Sequence, residues 1–241
     1  MDPLPVVTRD EALREIADTP ATLEFRAVAL DPQAACYRSG GGLILVDLPG
    51  RLIGAVGPVL SRDVAALFEN RNLDCELLAD RAAYRELREG RVLERAILQT
   101  LSGPWRSPLR QIADFVIRPL GPSDTLDHLP RELRGEIERG RRDEIVFAGF
   151  FKGAAVSFSY SASSTETWAD VSIDTLEEHR GRGIGAAVVS TLIDDIIRQG
   201  RSPVWGAVES NRASLRLAEK LGFTLKAGEL FVQEPQQSAA R

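Results

Sequence analysis

Val171-Ser-Ile-Asp-Thr-Leu-Glu-Glu-His-Arg-Gly-Arg-Gly-Ile-Gly-Ala-Ala187 opens on alternating apolar and polar residues, passes through three glycines and ends at the start of an apolar-striped segment. The alternation predicts a strand over residues 167–174. The stripe over residues 183–199, stopped by Gly200, predicts an amphipathic helix. A helix start carries unpaired N–H groups and about half a positive charge. Gly181, Gly183 and Gly185 remove side chains there, so the amides can close on a bound anion. Arg180 and Arg182 add positive charge suited to a diphosphate. The stretch therefore reads as strand, phosphate-accepting loop and helix. The plainer reading is a glycine-rich turn with surface arginines.

Working outward, Gly181-Arg-Gly-Ile-Gly-Ala186 also fits the dinucleotide pattern G-x-G-x-x-A, with the acidic Glu209 downstream. In that fold the first glycine follows its strand directly, whereas here residues 175–180 intervene. The preceding segments also look antiparallel. Residues 145–150 and 154–161 read as strands joined by the hairpin turn Phe151-Lys152-Gly153. Before them lie a strand over residues 115–118 ended by Pro119, and a helix over residues 130–139 stopped by Gly140. After the loop helix come a strand over residues 203–209, a helix over residues 211–221 and a closing hairpin over residues 223–232. The order predicts a mixed α/β fold: a mostly antiparallel sheet with helices on both faces.

Gly103, Pro104 and Pro108 break helix and strand alike and mark a boundary. Residues 1–105 then form an N-terminal α/β unit, residues 109–233 a second domain and residues 234–241 a polar tail. In the first unit, Thr8 with Glu11 makes a capping box. Residues 42–48 and 52–59 read as strands around Pro49-Gly50, and helices are expected from Ser61 and from Arg81. Gly40-Gly41-Gly42 lacks the ending of a P-loop and reads as a turn.

Composition narrows the function. Lys and Arg number 30 and Asp and Glu 35, a net charge of −5, which suits neither nucleic acid nor an anionic membrane. Only two cysteines, Cys36 and Cys75, and two histidines, His128 and His179, are present, in no metal-ligand spacing, so no metal is expected. No signal segment and no apolar run of roughly 20 residues is seen; the expectation is a cytoplasmic protein.

Arg180-Gly-Arg-Gly183-Ile-Gly185 resembles the pyrophosphate signature R/Q-x-x-G-x-G/A of the GNAT N-acetyltransferase superfamily. Downstream, Asn211-Arg-Ala-Ser-Leu-Arg-Leu-Ala-Glu-Lys-Leu-Gly-Phe223 resembles the ending N-x-x-S/A-x-x-L-Y/A-x-K-L-G-F. The resemblance covers roughly residues 113–232. The wording Pro203-Val-Trp205 with Leu217-Ala-Glu-Lys is similar to the branch that includes zwittermicin-resistance acetyltransferases. The resemblance implies acetyl-CoA as cosubstrate, lying where the strand before the loop splays from the strand beginning at Pro203. It implies pantetheine pairing by the backbone at Ile173 and Thr175, diphosphate binding around Arg180, Gly181, Arg182, Gly183, Ile184, Gly185 and Ala186, and a distal contact from Asn211. Asn211 can equally be the N-cap of the last helix.

The same resemblance implies acetyl transfer to an amine of a small molecule or a peptide end, by direct attack. Many members place a tyrosine general acid where this chain has Ala218, so that aid is in doubt here. Tyr160 is a candidate acid. An amine of pKa about 10 must lose a proton before it attacks. Asp174 is the first candidate base and Glu209 the second, with an ordinary solvated carboxylate the plain reading of each. Trp168, Asp170, Ser172 and Asp174 are expected to share a strand face, where repulsion from Asp170 would raise one carboxyl. No cysteine stands in a catalytic setting. The alternative is an acyl-CoA-binding regulatory module without catalysis. The N-terminal unit could shape the acceptor pocket or form a homodimer contact.

Overall fold

The order of strands in the second half of the chain is what positions the glycine-rich loop. The computed structural model describes residues 6–39, 43–48, 51–55, 77–78, 93–108 and 112–233. The chain divides into two compact units: Met1–Leu98 with Ala207–Arg212 and Lys226–Arg241, and Gln99–Gly206 with Ala213–Leu225.

In the first unit, Thr8 caps α1 (Arg9–Glu15) through a complete capping box with Glu11. The helix ends where the Arg26 guanidinium takes the carbonyls of Leu13 and Ile16 at 2.7 and 2.6 Å. Arg26 lies on α2 (Leu23–Leu30), whose Phe25, Val28 and Ala29 bury against Ala12, Ile16 and Cys36. The strands β1 (Val6–Val7), β2 (Ala35–Ser39), β3 (Leu43–Leu48), β4 (Arg51–Ala55) and β5 (Leu77–Leu78) follow in spatial order. All pair antiparallel except β4 with β5. The expected turns at Gly40-Gly41-Gly42 and Pro49-Gly50 and the helices from Ser61 and Arg81 lie outside the described residues.

The second unit holds an antiparallel sheet ordered β11-β9-β8-β7, from β7 (Phe115–Pro119), β8 (Phe147–Phe151), β9 (Ala154–Tyr160) and β11 (Ser172–Thr175). Pro119 sits on the edge strand, where a missing N–H costs least. Lys152 and Gly153 take positive φ of 51° and 86°, as a tight hairpin turn requires. One face of this sheet carries α3 (Arg131–Asp143), with Ile137 buried among Phe150, Phe158 and Tyr160. The other carries α4 (Ile184–Arg198), whose Val188 reaches Gly149. Also present are β10 (Trp168–Asp170), α5 (Arg212–Lys220) and three strands divided between the units: β6 (Leu93–Leu101), β12 (Ser202–Val208) and β13 (Phe223–Gln233). Here β6 lies between β13 and β12, and β10 pairs parallel with β12. The architecture is mixed α/β, mostly antiparallel.

Three expectations are corrected. Gly140 does not stop α3, which runs on to Asp143. A Cβ at Gly140 would lie 2.9 Å from Tyr160 Cδ2, so this glycine lets the helix backbone rest on a ring. Residues 223–232 form one strand, not a hairpin. Gly228 makes no turn; its Cβ would meet Ala21 Cβ at 3.1 Å, so it serves a close approach. Finally, the strand expected over residues 167–174 is two strands, β10 and β11, parted at Val171.

Candidate active site

The break at Val171 builds the site. Up to Asp170 the chain pairs with β12, in register Trp168 with Ser202 and Asp170 with Val204. The Val171 N–H still donates to Val204 C=O at 2.9 Å. From Ser172 onward the chain pairs with β9 alone. Leu176 N–H donates to Val156 C=O on β9. Backbone groups alternate sides along a strand, so those of Ser172 and Asp174 also face β9. Those of Ile173 and Thr175 face the opening toward β12. A parallel pair has thus parted, leaving an unpaired edge beside a gap.

The loop that follows closes one end of this gap. Gly181 and Gly183 adopt positive φ of 72° and 79°, and a Cβ on either would meet nothing within 4 Å. These glycines serve conformation and open space rather than packing. Gly183 caps α4, and the first helical bond runs from Ala187 N–H to Gly183 C=O at 3.1 Å. The amides of Ile184, Gly185 and Ala186 therefore precede the ladder and are available to an anion. Gly185 is different. Its Cβ would lie 2.9 Å from Thr175 Oγ1, so α4 begins flush against β11. Thr175 is pinned in turn, its hydroxyl 2.8 Å from Ser157 Oγ.

Both arginines are positioned. Arg180 Nε donates to Thr175 C=O at 2.9 Å, folding the loop back on the strand it left. The Arg182 guanidinium stacks 4.6 Å from the Phe151 ring centroid, and His179 meets the same ring edge-on at 5.5 Å. His179 is half-buried, and its Nδ1 is buried with no partner among the described residues.

The structure brings Ile173, Asp174, Thr175 and residues 180–186 together in one unit. The other two proposed site residues fall in the first unit. Glu209 is ion-paired to Arg95, which holds its carboxyl below the usual glutamate range. A carboxylate held so by a cation is a poor base. Asn211 is exposed, its backbone N–H bonded to Val208 C=O. Ala218 is fully buried.

The expected face shared by Asp170 and Asp174 is interrupted by the break. Asp170 turns to the loop before it, accepting from Ser163 N–H at 2.7 Å and from the hydroxyls of Ser161 and Ser172 at 3.1 and 3.2 Å. Asp174 is raised above the usual aspartate value, first by burial and then by Glu136 on α3, with Arg180 opposing. Repulsion comes from the helix, not from Asp170. Tyr160 is also pushed up, by burial and by Asp174, Glu136 and Asp170. Its proton is held too tightly for ready donation to a thiolate. Glu136, Ser157 and Phe151 were not legible as site residues, because only packing brings them to this loop.

These features define a class: an α/β fold with a parted parallel strand pair and an anion-accepting helix start at the gap. Within it, residues 138–228 match the GNAT acetyltransferase family model. The L-methionine sulfoximine/L-methionine sulfone acetyltransferase of Salmonella typhimurium strain LT2 is 44% identical over 50 residues, 20% of this chain and 29% of that protein. The match thus spans under a third of that relative's length. A GCN5-related N-acetyltransferase-like protein from Streptococcus suis 89/1591 superposes with a TM-score of 0.68 at 20% identity, over 94% of this chain and 98% of that one. A tandem GNAT protein from the clavulanic acid biosynthesis pathway gives 0.56 at 16% identity, over 96% and 98%. Both likenesses concern the fold.

Proposed function

We propose that this protein transfers the acetyl group of acetyl-CoA to an amine of a small molecule or peptide end, without a covalent enzyme intermediate. The observation that carries this is the unpaired edge of β11 ending in the glycine-rich start of α4. The residues fit the cosubstrate. The backbone at Ile173 and Thr175 suits the amides of the pantetheine arm. The amides of residues 181–186, with Arg180 and Arg182, suit its diphosphate. The thioester supplies an activated acetyl carbonyl. Asp174 accepts the proton of the acceptor ammonium, the neutral nitrogen forms a C–N bond as the C–S bond breaks, and the second nitrogen proton passes to the departing thiolate to give the amide and free CoA. Holding amine and thioester together supplies much of the rate, so the absent phenol at Ala218 does not preclude turnover.

The second reading, an acyl-CoA-binding module without catalysis, draws on Ala218. Calorimetry with acetyl-CoA and release of free CoA in the presence of mixed amines separate the two. Gly183→Glu should abolish acetyl-CoA binding, since a carboxylate would enter the diphosphate position. Unchanged affinity would move the site elsewhere.

A further inference from the structure

We propose that the acceptor subsite lies on the α3 face of the β9–β11 pair and takes an amine bearing a second positive charge. In this assignment Glu136 and Tyr160 hold the distal ammonium while Asp174 serves the reacting nitrogen. The assignment rests on the acetyl-transfer reading above.

Register places the residues. Tyr160 lies opposite Ser172, and Phe158 lies opposite Asp174. Opposed residues share a face, as do alternate residues of one strand, so Tyr160 and Asp174 project to the same side. Phe158 and Tyr160 pack there with Ile137 of α3. Ile173 and Thr175 project to the other side, where they meet Gly185 of α4. Asp174 thus reaches from the cofactor strand into the space under α3. The edge of this strand serves the cofactor and one of its faces serves the acceptor.

Tyr160 points to a ligand. Its side chain is only 7% exposed, with Gly140 of α3 laid on the ring. Its hydroxyl has no hydrogen-bond partner among the described residues. The ring is buried while the hydroxyl is left open to a partner, and a ligand N–H would supply one.

Charge sets the kind of ligand. The groups acting on Tyr160 are Asp174, Glu136, Asp170 and Arg139, and those acting on Asp174 are Glu136 and Arg180. Asp170 is occupied by three donors of its own loop and strand, and Arg180 Nε is turned to Thr175 C=O. Asp174 and Glu136 have no ion-pair partner among the described residues. Two such carboxylates and a phenol oxygen present acceptors and a negative potential that Arg139 and Arg180 offset only in part, which favours a donor-rich cation and disfavours an acceptor carrying a carboxylate.

The test uses three primary amines of like chain length, putrescine, n-butylamine and γ-aminobutyrate, with saturating acetyl-CoA and CoA release as readout. kcat/KM should fall in that order, with putrescine ahead of butylamine by roughly tenfold, the worth of one favourable charge contact. The lead should shrink as salt is raised. Glu136→Gln should reduce the putrescine-to-butylamine ratio roughly fivefold, acting on KM, as an exposed pair allows. Tyr160→Phe, which keeps the ring, should raise the KM for putrescine. Butylamine or γ-aminobutyrate matching putrescine, or a ratio unmoved by Glu136→Gln, overturns the inference. Calorimetry on the same samples separates the readings. Acetyl-CoA bound with no use of cationic amines defeats the subsite alone, whereas no acetyl-CoA binding defeats acetyl transfer itself.

Discussion

Replacing Gly185 by alanine puts a methyl group 2.9 Å from Thr175 Oγ1 and 3.7 Å from Ile173 Cγ1. Neither neighbour yields easily. The threonine is β-branched and stiff at χ1, and its hydroxyl is 2.8 Å from Ser157 Oγ, which is itself fully buried and bonded to Asp174 C=O at 3.0 Å. Relief comes either by rotating Thr175, which costs about 1 kcal/mol for the buried hydrogen bond, or by lifting α4 from β11, an overpacking cost of about 1–3 kcal/mol. Loss of glycine's backbone freedom returns about 0.5–1 kcal/mol. The net is a destabilisation of up to about 2 kcal/mol, or up to about 8 °C in Tm for a chain of this size. Thermal unfolding of Gly185→Ala, Thr175→Ala and the double variant checks it. In the Thr175→Ala background the added methyl should cost at least about 0.5 kcal/mol less, a coupling expected of residues in contact. The single variant should also bind acetyl-CoA more weakly, because the loop amides move with the helix start. Additivity within about 0.3 kcal/mol would show that Thr175 does not confine Gly185, and would refute this account of how the loop is seated.

Two further outcomes follow from the same structure. Asp174→Asn should lower turnover roughly 10²-fold with little change in acetyl-CoA affinity. In wild type kcat/KM should fall as pH drops through a pKa above the ordinary aspartate value, a limb absent in the variant. Because this carboxyl is raised by burial, its contribution to stability is present below its unfolded pKa and lost as pH rises through its folded one. The Asn variant should therefore melt higher than wild type at neutral pH and lose that lead in acid. Trp105→Phe removes an indole N–H bond of 2.6 Å to Asp194 Oδ1 on α4. It should cost about 1–3 kcal/mol in thermal melts, as a bond to a charged acceptor does.

Much of the site was legible in local pattern because its physics is local. A helix start leaves its first amides unpaired whatever surrounds it, and glycine is the residue that accepts the positive φ the loop takes at Gly181 and Gly183. The tight turn at Lys152-Gly153 and the capping box at Thr8 and Glu11 are likewise decided within four residues. The alternation of residues 167–174 correctly announced extended chain. It held no sign of the break, since a residue's neighbours along the strand do not say which strand lies beside it.

The tertiary structure decided what depends on partners far along the chain. Val171 ends one pairing because β12 runs beside it only as far as Val204, and this opens the gap. Gly140 was read as a helix stop and residues 223–232, which hold Gly228, as a hairpin because glycine serves close packing and chain reversal equally well. Only the Tyr160 ring and Ala21 reveal which applies. Glu209 looked like a free base until Arg95, 114 residues earlier, was found paired to it. Asp174 owes its raised pKa first to burial and then to Glu136 on α3, neither of which its own strand encodes. The sequence by itself determined the backbone's readiness to hold an anion, because that rests on bonds within one turn of helix. Which carboxylates are free, and what faces them, was left to the packing of α3 against β9 and β11.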